Sequence, residues 1–434
     1  MTQAKTPNLF AAIDVGSSKI AVCIGYVRSD GHLEVVSCAR SPSTGVHQGI
    51  VVDIDRTVGE VESTLQVAKQ PFGKLQIDDA VANLNGIHLS CLNATGSSVT
   101  HKGEVSEKHI RQALHTAQAV NLGAANVMLH VLPQQYIVDN QVGIVQPLGQ
   151  AGKRLDADVH MIMASSNAEQ NLTKCVTRCN LHNLQLIASP LASANAVLDD
   201  ASRELGVCVI DIGHETTGVA LFVAGEIRHT GVLPWGGRQV NQDIAKSLFT
   251  PPQAAEQLKE LHGSVVGHEL DENEITVPGV NGRPDTRPPK SLFSQIVRAV
   301  YERIFHEVAA EFERHDLSSE FGSTRIVLTG GGSKIENLDY LASEVLGLEA
   351  YVDHPKICPA PSPDANGNSV HDQIYVADGV DATELNDPAM ATVVGLLRRR
   401  VVGRIKTHQA RTAKTRGVTS TAARSVYRWL GGNV

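Results

Sequence analysis

The N-terminal part of the chain carries two apolar runs joined by a short polar segment. Residues 9–27 are mostly apolar on either side of the polar residues 16–19, and Asp14 interrupts the first run near its end. The pattern recurs over residues 206–223, where Asp211 has the equivalent position. Both copies therefore predict a strand, a tight polar turn and a second strand.

The two turns have a composition that suits a phosphate group. Ser17 and Ser18 follow the first aspartate, and Thr216 and Thr217 follow the second. Backbone N–H groups in such turns point inward and can bind phosphate, while an aspartate beside them can hold a hydrated Mg²⁺. Either copy alone would usually be interpreted as an ordinary hairpin with a polar turn. Two copies whose aspartates are 197 residues apart predict a duplicated domain with a nucleotide between its halves.

A third segment, rich in glycine, follows a predicted strand in the C-terminal half. Residues 325–329 lead into Gly330, Gly331 and Gly332, after which we predict a helix over residues 335–345. Consecutive glycines let a flat ligand approach the backbone closely, and the N-terminus of the helix would supply positive potential. A glycine triplet alone is weak evidence, but as the third member of this ordered set it strengthens the prediction of a nucleotide site.

In this order the three segments resemble the nucleotide signature of the actin, sugar-kinase and Hsp70 superfamily. More narrowly, the chain is similar to FtsA, the bacterial cell-division homologue of actin, from about residue 9 to residue 397 and again at its C-terminal tip. The stretches that carry this resemblance are 12–19, 204–213, 225–230, 250–263, 326–332 and 391–397. It implies an α/β fold, the actin-like (ribonuclease H-like) two-lobed ATPase fold, with an inserted small α+β domain and a C-terminal amphipathic helix.

The resemblance also implies ATP and Mg²⁺ as cofactors, with Asp14 and Asp211 holding Mg²⁺ through water. The residues expected to bind ATP are Asp14, Gly16, Ser17, Ser18, Lys19, Asp211, Gly213, Thr216, Thr217, Gly236, Gly237, Glu256, Lys259, Gly330, Gly331, Gly332 and Lys334. In this set the glycine triplet would lie against the adenosine, and Glu256 and Lys259 would contact the ribose or adenine. From the residues alone, Glu256 and Lys259 read equally well as a solvated pair on one face of a helix.

The patterns divide the chain into two lobes, an insert and a tail. We expect residues 1–84 and 164–203 in the first lobe, 85–163 in the inserted domain, 204–235 and 322–397 in the core of the second lobe, 236–321 in a subdomain of that lobe, 398–421 in a basic flexible linker and 422–434 in an amphipathic membrane helix.

Inside the insert, a strand-rich stretch to Val99 and a helix capped by Ser106 precede strands near residues 127–132, 136–138 and 158–164. In the FtsA family this insert contributes to polymer contacts and to contacts with later division proteins. The alternative is an insertion without a function of its own.

The second turn departs from the superfamily pattern, in which glycines usually follow the aspartate and Gly213. Here His214 and Glu215 occupy two such positions, and the aspartate usually found after the loop is absent. Bulky residues could narrow the loop, and an anionic Glu215 could repel a terminal phosphate. We therefore expect nucleotide binding through backbone contacts, with weak ATPase activity or none.

The distribution of charge distinguishes the C-terminal tail from the rest of the chain. The formal net charge of the 434 residues is −8, but residues 398–434 contain ten Lys or Arg and no Asp or Glu, so that the body carries −18 and the tail +10. An acidic body with a basic tail indicates a polyanionic partner, either nucleic acid or an anionic membrane surface. We expect neither a signal peptide nor a spanning helix, and the seven scattered cysteines indicate a reduced cytosolic protein.

The last residues of the tail form an amphipathic pattern after a polar linker. On a helical wheel the apolar residues from Ala422 to Leu430 share one arc, and the arginines lie opposite. An apolar face with a Trp at its edge is typical of a helix at a membrane surface. The residues expected to contact the membrane are Arg424, Val426, Tyr427, Arg428, Trp429 and Leu430.

The tail has two other interpretations. A terminal helix could pack on its own body, although a flexible polar linker is a poor way to place a core helix. Nucleic acid is not expected as a partner, because the tail has no stacking platform and no element that reads a groove.

The leading functional interpretation is a cell division scaffold. By its resemblance, the chain would bind ATP, polymerise, dock the C-terminal tail of the tubulin-like ring protein FtsZ around residues 235–317, tether that ring to the cytoplasmic face of the inner membrane at the septum, and recruit downstream division proteins. An actin-like pilus-assembly protein is the alternative within the fold. A small-molecule kinase is the alternative from another class, but it needs a carboxylate base facing the cleft, and no Asp or Glu stands out in that role.

Overall fold

The computed structural model of the protein describes residues 8–28, 32–73, 76–100, 103–266, 273–358 and 374–398. The expected linker from residue 399 onward and the membrane helix, with Arg424 to Leu430, lie outside the described residues. Within the described ranges, no helix has both the length and the apolar character needed to cross a membrane.

Strands alternate with helices along most of the chain. The strands are β1 (Phe10–Val15), β2 (Lys19–Val27), β3 (Leu33–Pro42), β4 (Val46–His47), β5 (Ile50–Val51), β6 (Asp79–Leu84), β7 (Ser90–Val99), β8 (Asn126–Val138), β9 (Gln141–Ile144), β10 (Arg154–Ser165), β11 (Asn183–Ala188), β12 (Val207–Ile212), β13 (Thr217–Val223), β14 (Glu226–Leu233), β15 (Arg325–Thr329), β16 (Ala350–Val352), β17 (Ile357–Cys358) and β18 (Ile374–Val376).

The helices are α1 (Ile54–Lys69), α2 (Glu107–Ala117), α3 (Ser166–Arg178), α4 (Ser189–Val197), α5 (Asp200–Leu205), α6 (Gly237–Leu248), α7 (Pro252–His262), α8 (Lys290–Arg314), α9 (Ser318–Phe321), α10 (Leu338–Leu346) and α11 (Ala382–Leu385). Short 3₁₀ turns cover Gln70–Phe72, Gly331–Lys334 and Pro388–Met390, and residues 391–398 are helical.

The first large sheet has seven strands in the order β11-β6-β1-β2-β3-β18-β17. All six residues of β1 are buried, because helices and neighbouring strands cover both faces of this central strand. β1 pairs antiparallel with β2 and parallel with β6. Helix α1 packs Val58, Val61 and Leu65 into the same core. This packing holds Asp14 at the C-terminal end of β1.

The second large sheet has five strands in the order β14-β13-β12-β15-β16 and repeats the arrangement of the first. β12 pairs antiparallel with β13 and parallel with β15, as β1 does with β2 and β6. Helix α8 fills the core of this lobe with Phe293, Tyr301 and Phe305. The two predicted strand-turn-strand units are therefore confirmed, and Asp211 has the same place in its sheet as Asp14 has in the other.

A smaller four-stranded sheet, β7-β10-β8-β9, has an apolar core of its own against α2. Helix α2 follows Ser106, as expected. The expectation of two separate strands near residues 127–138 is wrong, since β8 runs unbroken through that range. Its pairing with β10 shifts register beside Pro133, and such a bulge lets a residue without an N–H group remain inside a strand.

The small sheet is fastened to β14, the outer strand of the second large sheet. Nδ2 of Asn93 donates a hydrogen bond to the carbonyl oxygen of Arg228 at 2.9 Å. Nε2 of Gln134 donates to the carbonyl oxygen of Ile227 at 2.6 Å. These side chains satisfy carbonyl groups of an edge strand that would otherwise be open to pairing with another chain.

His160 lies at the centre of this contact and is fully buried. Its Nδ1 is 2.7 Å from Oδ1 of Asn93, and its Nε2 is 3.0 Å from Oγ1 of Thr230. Burial lowers the pKa of His160 to about 3, and the nearby charge of His229 adds to that effect. The neutral ring satisfies both neighbours, because one nitrogen can donate while the other accepts.

Acid should therefore destabilise the fold through His160. In the unfolded chain this side chain titrates near its ordinary pKa of 6.5, whereas the native state stays neutral until about pH 3. Below pH 6.5 only the unfolded state gains the proton, so the free energy of unfolding falls by about 1.4 kcal/mol per pH unit for this group. Urea unfolding between pH 7 and pH 5 should show a steeper loss for the parent chain than for His160→Gln.

The matched control is His115→Gln, which changes an exposed histidine on α2. This variant should keep the pH slope of the parent chain. Equal slopes in the parent and in His160→Gln would contradict the assignment of a buried neutral imidazole.

Candidate functional site

The two polar turns that follow Asp14 and Asp211 are closed in the same way. The N–H of Gly16 donates to the carbonyl oxygen of Lys19 at 3.0 Å, and the N–H of Gly213 donates to that of Thr216 at 2.9 Å. A Cβ atom added at either glycine would lie about as close to the same carbonyl oxygen, at 3.0 and 2.9 Å. Each turn therefore needs a glycine at its first position, directly after an aspartate-bearing strand.

The turns face each other across one cleft, into which the glycine-rich turn after β15 also projects. The cleft has about 600 Å³ of empty space, including space open to solvent. It is lined by Asp14, Gly16, Ser17, Ser18, Lys19, Asn83, Asn85, Ser189, Asp211, Gly213, His214, Glu215, Thr216, Gly218, Gly330, Gly331, Pro388, Ala389 and Thr392.

Asp14 is held in position by two polar partners from the first lobe. Nδ2 of Asn83 donates to Oδ1 of Asp14 at 2.7 Å, and Nζ of Lys19 lies 3.6 Å from Oδ2. Oδ1 of Asn83 also accepts the N–H of Val15 at 2.7 Å, so one amide fixes both the strand end and its carboxylate. Burial raises the pKa of Asp14, and the attraction of Lys19 opposes that rise only in part.

Asp211 is held by hydroxyl groups instead of an amide. Its Oδ2 accepts hydrogen bonds from Oγ of Ser193 and, at 3.4 Å, from Oγ1 of Thr392. Burial raises the pKa of Asp211, the Ser193 hydrogen bond works against the rise, and the negative charge of Asp14 adds to it. The two carboxylates are therefore close enough to repel each other inside the protein.

This donor set fits a hydrated divalent cation. Carboxylate oxygens are hard ligands, and Mg²⁺ is usually bound by one or two carboxylates while it keeps several waters. In the described part of the lining, Lys19 is the side chain that carries a permanent positive charge, against Asp14, Asp211 and Glu215. A cation between Asp14 and Asp211 would relieve both the repulsion and the cost of burial.

The third turn approaches the second aspartate very closely. Gly330 has a φ of +86°, and a Cβ atom there would collide with Oδ1 of Asp211. The helix expected over residues 335–345 is present, but its predicted start is wrong: a 3₁₀ turn spans Gly331–Lys334, and α10 begins only at Leu338. Asn337, with a φ of +63°, separates the two. The turn brings backbone to the cleft, but the N-terminus of α10 does not follow it directly.

Seven expected ATP-binding residues are not part of the described lining. They are Thr217, Gly236, Gly237, Glu256, Lys259, Gly332 and Lys334. Oγ1 of Thr217 donates to the carbonyl oxygen of Trp235 at 2.8 Å, and the carbonyl of Gly332 accepts the hydroxyl of Tyr301 at 2.8 Å. Lys334 forms an ion pair of 2.7 Å with Asp387.

The remaining four lie next to the second turn. The N–H of Gly237 donates to the carbonyl of Gly213 at 2.9 Å, so the start of α6 caps the turn. Nζ of Lys259 is 3.5 Å from the carbonyl oxygen of Gly237. Burial lowers the pKa of His214, an effect that the negative charge of Glu256 opposes and the positive charge of Lys259 supports. These residues form one wall beyond the turn, on the side of the second lobe.

Several residues of the cleft were not predicted from the sequence. Asn83 and Asn85 come from the end of β6, Ser189 from the start of α4, and Pro388 and Thr392 from the last described segment. Asn83 directly follows a run of apolar residues, which is the same signal that singled out Asp14. The other four carry no local signal, since only the long-range pairing of strands brings them to the cleft.

Glu215 does not point a free charge into the cleft. Its carboxylate accepts the N–H of Gln48, forms a close ion pair with Arg238 and lies 3.1 Å from Nδ1 of His47. Burial would raise the pKa of Glu215, but the hydrogen bonds from Gln48 and Arg238 and the nearby charges outweigh it and hold the pKa below its ordinary value. We call Glu215, Arg238, His47 and Gln48 the clasp.

The clasp joins the two halves of the molecule at the mouth of the cleft. His47 and Gln48 belong to the β4–β5 hairpin of the first lobe, and Arg238 lies in the first turn of α6 in the second lobe. The hairpin is itself tied to the first polar turn, because the N–H of Gly49 donates to Oγ of Ser17 at 3.0 Å. Glu215 thus supplies a link between the lobes.

Comparison with known proteins identifies the family. The family model described as "Cell division protein FtsA" matches residues 208–395, and that of the "SHS2 domain inserted in FTSA" matches residues 86–163. The chain is 38% identical to the cell division protein FtsA of Pseudomonas aeruginosa, covering 80% of this chain and 83% of that protein. It is 33% identical to FtsA of Escherichia coli K12, covering 82% and 86%.

Solved structures agree on the fold. The PilM-PilN type IV pilus biogenesis complex is similar with a TM-score of 0.60 at 17% identity, covering 90% of this chain and 98% of that chain. MreB 5 of Spiroplasma citri bound to AMPPNP has a TM-score of 0.52 at 13% identity, covering 95% and 100%. The predicted actin-like α/β fold with an inserted domain is thereby confirmed, and the sequence matches establish that the chain belongs to the FtsA family of actin-like cell division proteins.

Proposed function

We propose that the protein is an ATP-binding scaffold of cell division that polymerises and tethers the FtsZ ring to the cytoplasmic face of the inner membrane. The observation that carries this proposal is the meeting of two equivalent aspartate turns and a glycine turn in one cleft, in a chain of the FtsA family. ATP would lie in that cleft with its phosphates between the two polar turns.

The chemistry of the cleft supports a nucleotide with a metal ion. Phosphates alone would add negative charge beside Asp14 and Asp211, so Mg²⁺ held through water by these carboxylates makes binding favourable. Backbone N–H groups of the two turns, with Ser17, Ser18, Lys19 and Thr216, would hold the phosphates. The AMPPNP bound to MreB 5 of Spiroplasma citri, which has the same fold, is in line with this.

The outer wall of the site would hold the rest of the nucleotide. Gly330 and Gly331 expose backbone to the cleft, against which adenosine could lie closely. Glu256 and Lys259, on the wall beside the second turn, would contact the ribose or adenine, with Gly236 and Gly237 at the start of α6 between them and the phosphates.

Hydrolysis should be slow or absent. In the described lining, Asp14 and Asp211 are committed to the metal, and Glu215 is bound in the clasp. No carboxylate of the described lining is therefore left to act as a general base for water. ATP would then act mainly by holding the lobes together, as suits a scaffold.

Asp211→Asn should separate nucleotide binding from folding. The amide keeps the shape of the side chain and removes one of two repelling buried charges, so the chain without nucleotide should stay folded. Loss of a charged partner for hydrated Mg²⁺ should weaken Mg-ATP binding by about ten- to a hundredfold. The change is measured as the ATP-dependent shift in melting temperature.

Asp243→Asn, on the exposed side of α6, is the control and should bind ATP like the parent chain. Unchanged ATP affinity in Asp211→Asn would contradict the proposed site. Phosphate release by the pure parent chain well above background, and lost in Asp211→Asn, would contradict the expectation of weak hydrolysis.

Glu215→Gln should weaken the clasp, while the phosphate-binding groups of the cleft stay in place. Losing a buried charge-assisted pair lowers the free energy of local opening by about 1.5–3 kcal/mol. Hydrogen exchange of the Gln48 amide, which donates to Glu215, should accordingly become at least about tenfold faster. Mg-ATP affinity should also fall, by less than in Asp211→Asn.

Glu260→Gln removes an exposed carboxylate from α7 and should leave both readings unchanged. The double variant Arg238→Gln/Glu215→Gln tests whether these two side chains act as one unit. If they do, the Gln48 amide exchanges no faster in the double variant than in either single variant. Unaltered exchange at Gln48 in Glu215→Gln would rule out the clasp as a link between the lobes.

The membrane link would come from the C-terminal residues. Each basic residue near an anionic leaflet contributes on the order of 1 kcal/mol, and burial of a Val, Trp or Leu side chain adds roughly 1.5–3 kcal/mol before ordering costs. One such helix binds weakly and reversibly, whereas many helices on one polymer bind tightly. The FtsZ tail would dock around residues 235–317, and the insert would contact neighbouring subunits and later division proteins.

A single sedimentation assay addresses the tether. Anionic liposomes should pellet FtsZ only when this chain is present, since the chain would be the bridge. Deleting residues 418–434, or changing Trp429→Glu, should release both proteins while ATP binding stays intact. Deleting the FtsZ tail should release FtsZ alone.

Thr419→Glu adds the same charge within the linker and should behave like the parent chain. Binding to liposomes should also rise steeply with the concentration of the chain, because polymerisation supplies avidity. Unchanged pelleting after deletion of residues 418–434 would refute the tether, and a simple hyperbolic isotherm would refute the role of polymerisation.

A further inference from the structure

Three potential metal ligands from distant parts of the chain meet below β14. They are His229 on β14 and the pair Glu311 and His315 on and just after α8. One donor atom from each side chain lies within 4.8 Å of the other two. Nε2 of His229 is 3.1 Å from Oε1 of Glu311, and Nδ1 of His315 is 3.6 Å from the same oxygen.

These separations match those between ligands of one ion. Two atoms bound to a tetrahedral zinc at about 2.0–2.1 Å are about 3.3 Å apart. The 3.1 Å between Nε2 of His229 and Oε1 of Glu311 lies within a few tenths of an ångström of that value. Two imidazoles and one carboxylate also form a donor set that zinc uses when a fourth position is left to water.

The contacts around His229 fix the orientation of its ring, as is usual for a histidine that binds a metal. The side chain is 3% exposed, and its ring meets Phe312 edge-on with centroids 5.4 Å apart. Its other nitrogen, Nδ1, lies 3.5 Å from Sγ of Cys91 in the insert. A partner on the second nitrogen fixes the orientation of a ligating imidazole, and loss of such a partner typically weakens metal binding.

Glu311 and His315 complete a site that opens toward solvent. Oε2 of Glu311 is bound by Arg314 at 2.7 Å, which leaves Oε1 toward the two imidazoles. His315 follows Glu311 by four residues, so both side chains lie on one face of the helix end. Nδ1–H of His315 donates to the carbonyl oxygen of Glu311 at 2.8 Å, which leaves Nε2 as the nitrogen that can bind an ion. The side chain of His315 is 45% exposed, so water can reach a fourth position.

A glycine keeps the space between the donor atoms free. A Cβ atom added at Gly231 would lie 3.0 Å from Nε2 of His229 and also 3.0 Å from Oε1 of Glu311. Any side chain at this position would therefore crowd the gap that an ion would occupy. This observation is independent of the convergence of the three ligands.

We propose that His229, Glu311 and His315 bind a divalent transition-metal ion, with Zn²⁺ as the best match to the donor set. The ion would displace the proton that the ion pair with Glu311 holds on His229 and release it to solvent. It would take its fourth ligand from water and would sit where the insert meets the second lobe. Because Cys91 of the insert contacts the ring of His229, binding of the ion is expected to stiffen that junction. The proposal does not depend on nucleotide, membrane or FtsZ binding.

The experiment uses the full chain after removal of metal with a chelator. Co²⁺ is added first, since its visible absorption reports nitrogen and oxygen coordination, and Zn²⁺ is then used to displace it. The parent chain should show a four-coordinate Co²⁺ spectrum that Zn²⁺ abolishes. Because other histidines of the chain can bind metal weakly, the difference between variants carries the result.

His315→Gln is the main variant, since this side chain is half-exposed and its loss should not unfold the protein. The matched control is His306→Gln, an exposed histidine on the same helix. His315→Gln should lose one tight equivalent of Zn²⁺, a weakening beyond the roughly 10- to 100-fold that loss of an outer partner causes. His306→Gln should keep it, and Cys91→Ser should weaken binding by about tenfold.

Gly231→Ala gives a second route to the same answer, since it should block the ion while leaving all three ligands in place. Zn²⁺ binding in His315→Gln with the stoichiometry and affinity of the parent chain would overturn the proposal. So would a crystal grown with Zn²⁺ whose anomalous scattering places the tightest ion away from His229 and Glu311.

Discussion

The structure depends on bringing two buried aspartates to the same cleft. Asp14 and Asp211 each end a central strand, burial raises the pKa of each, and the negative charge of Asp14 adds to the rise at Asp211. Hydrogen bonds from Asn83 and Ser193 offset only part of that cost. Such a pair is stable when a cation enters between the carboxylates. The duplicated hairpins, the parallel strands beside them and the tight glycine turns all serve to place these two groups face to face.

The clasp follows from the same constraint. Two lobes that meet over repelling charges need attraction elsewhere along the cleft, and the link from Glu215 to Arg238 and the β4–β5 hairpin supplies it. Asn85 adds a second link, because its Nδ2 donates to Oγ1 of Thr216 at 3.1 Å. The charge that Glu215 brings into the second turn is thus neutralised by partners on both sides of the cleft.

The local sequence pattern was sufficient to predict the strands and turns that carry the site, but not the contacts between them. The two aspartate hairpins were predictable because the same pattern, an apolar run with an Asp near its end and a Gly after it, occurs twice in the chain. The continuous β8 was not, since Pro133 reads as a break and only the bulge opposite β10 accommodates it. Helix α10 starts late because Asn337 has a left-handed backbone conformation. The preceding residues Lys334 and Ile335 give no sequence signal for that conformation. The contacts of Glu215 with Gln48 and of His229 with Glu311 could not be predicted from local sequence, because the partners lie 167 and 82 residues apart.

The insert is linked to the geometry of the cleft because its side chains bind the second lobe. It leaves the first lobe after β6 and returns through β10 into α3, yet its side chains bind the backbone of β14 in the second lobe. β14 is paired with β13, which begins directly after the turn that follows Asp211. A rotation of the second lobe about the cleft must therefore carry the insert with it or break the contacts of Asn93, Gln134 and His160. Since His160 is buried and neutral and the edge of β14 needs its partners, breaking them is costly, and the position of the insert is coupled to the closure of the cleft.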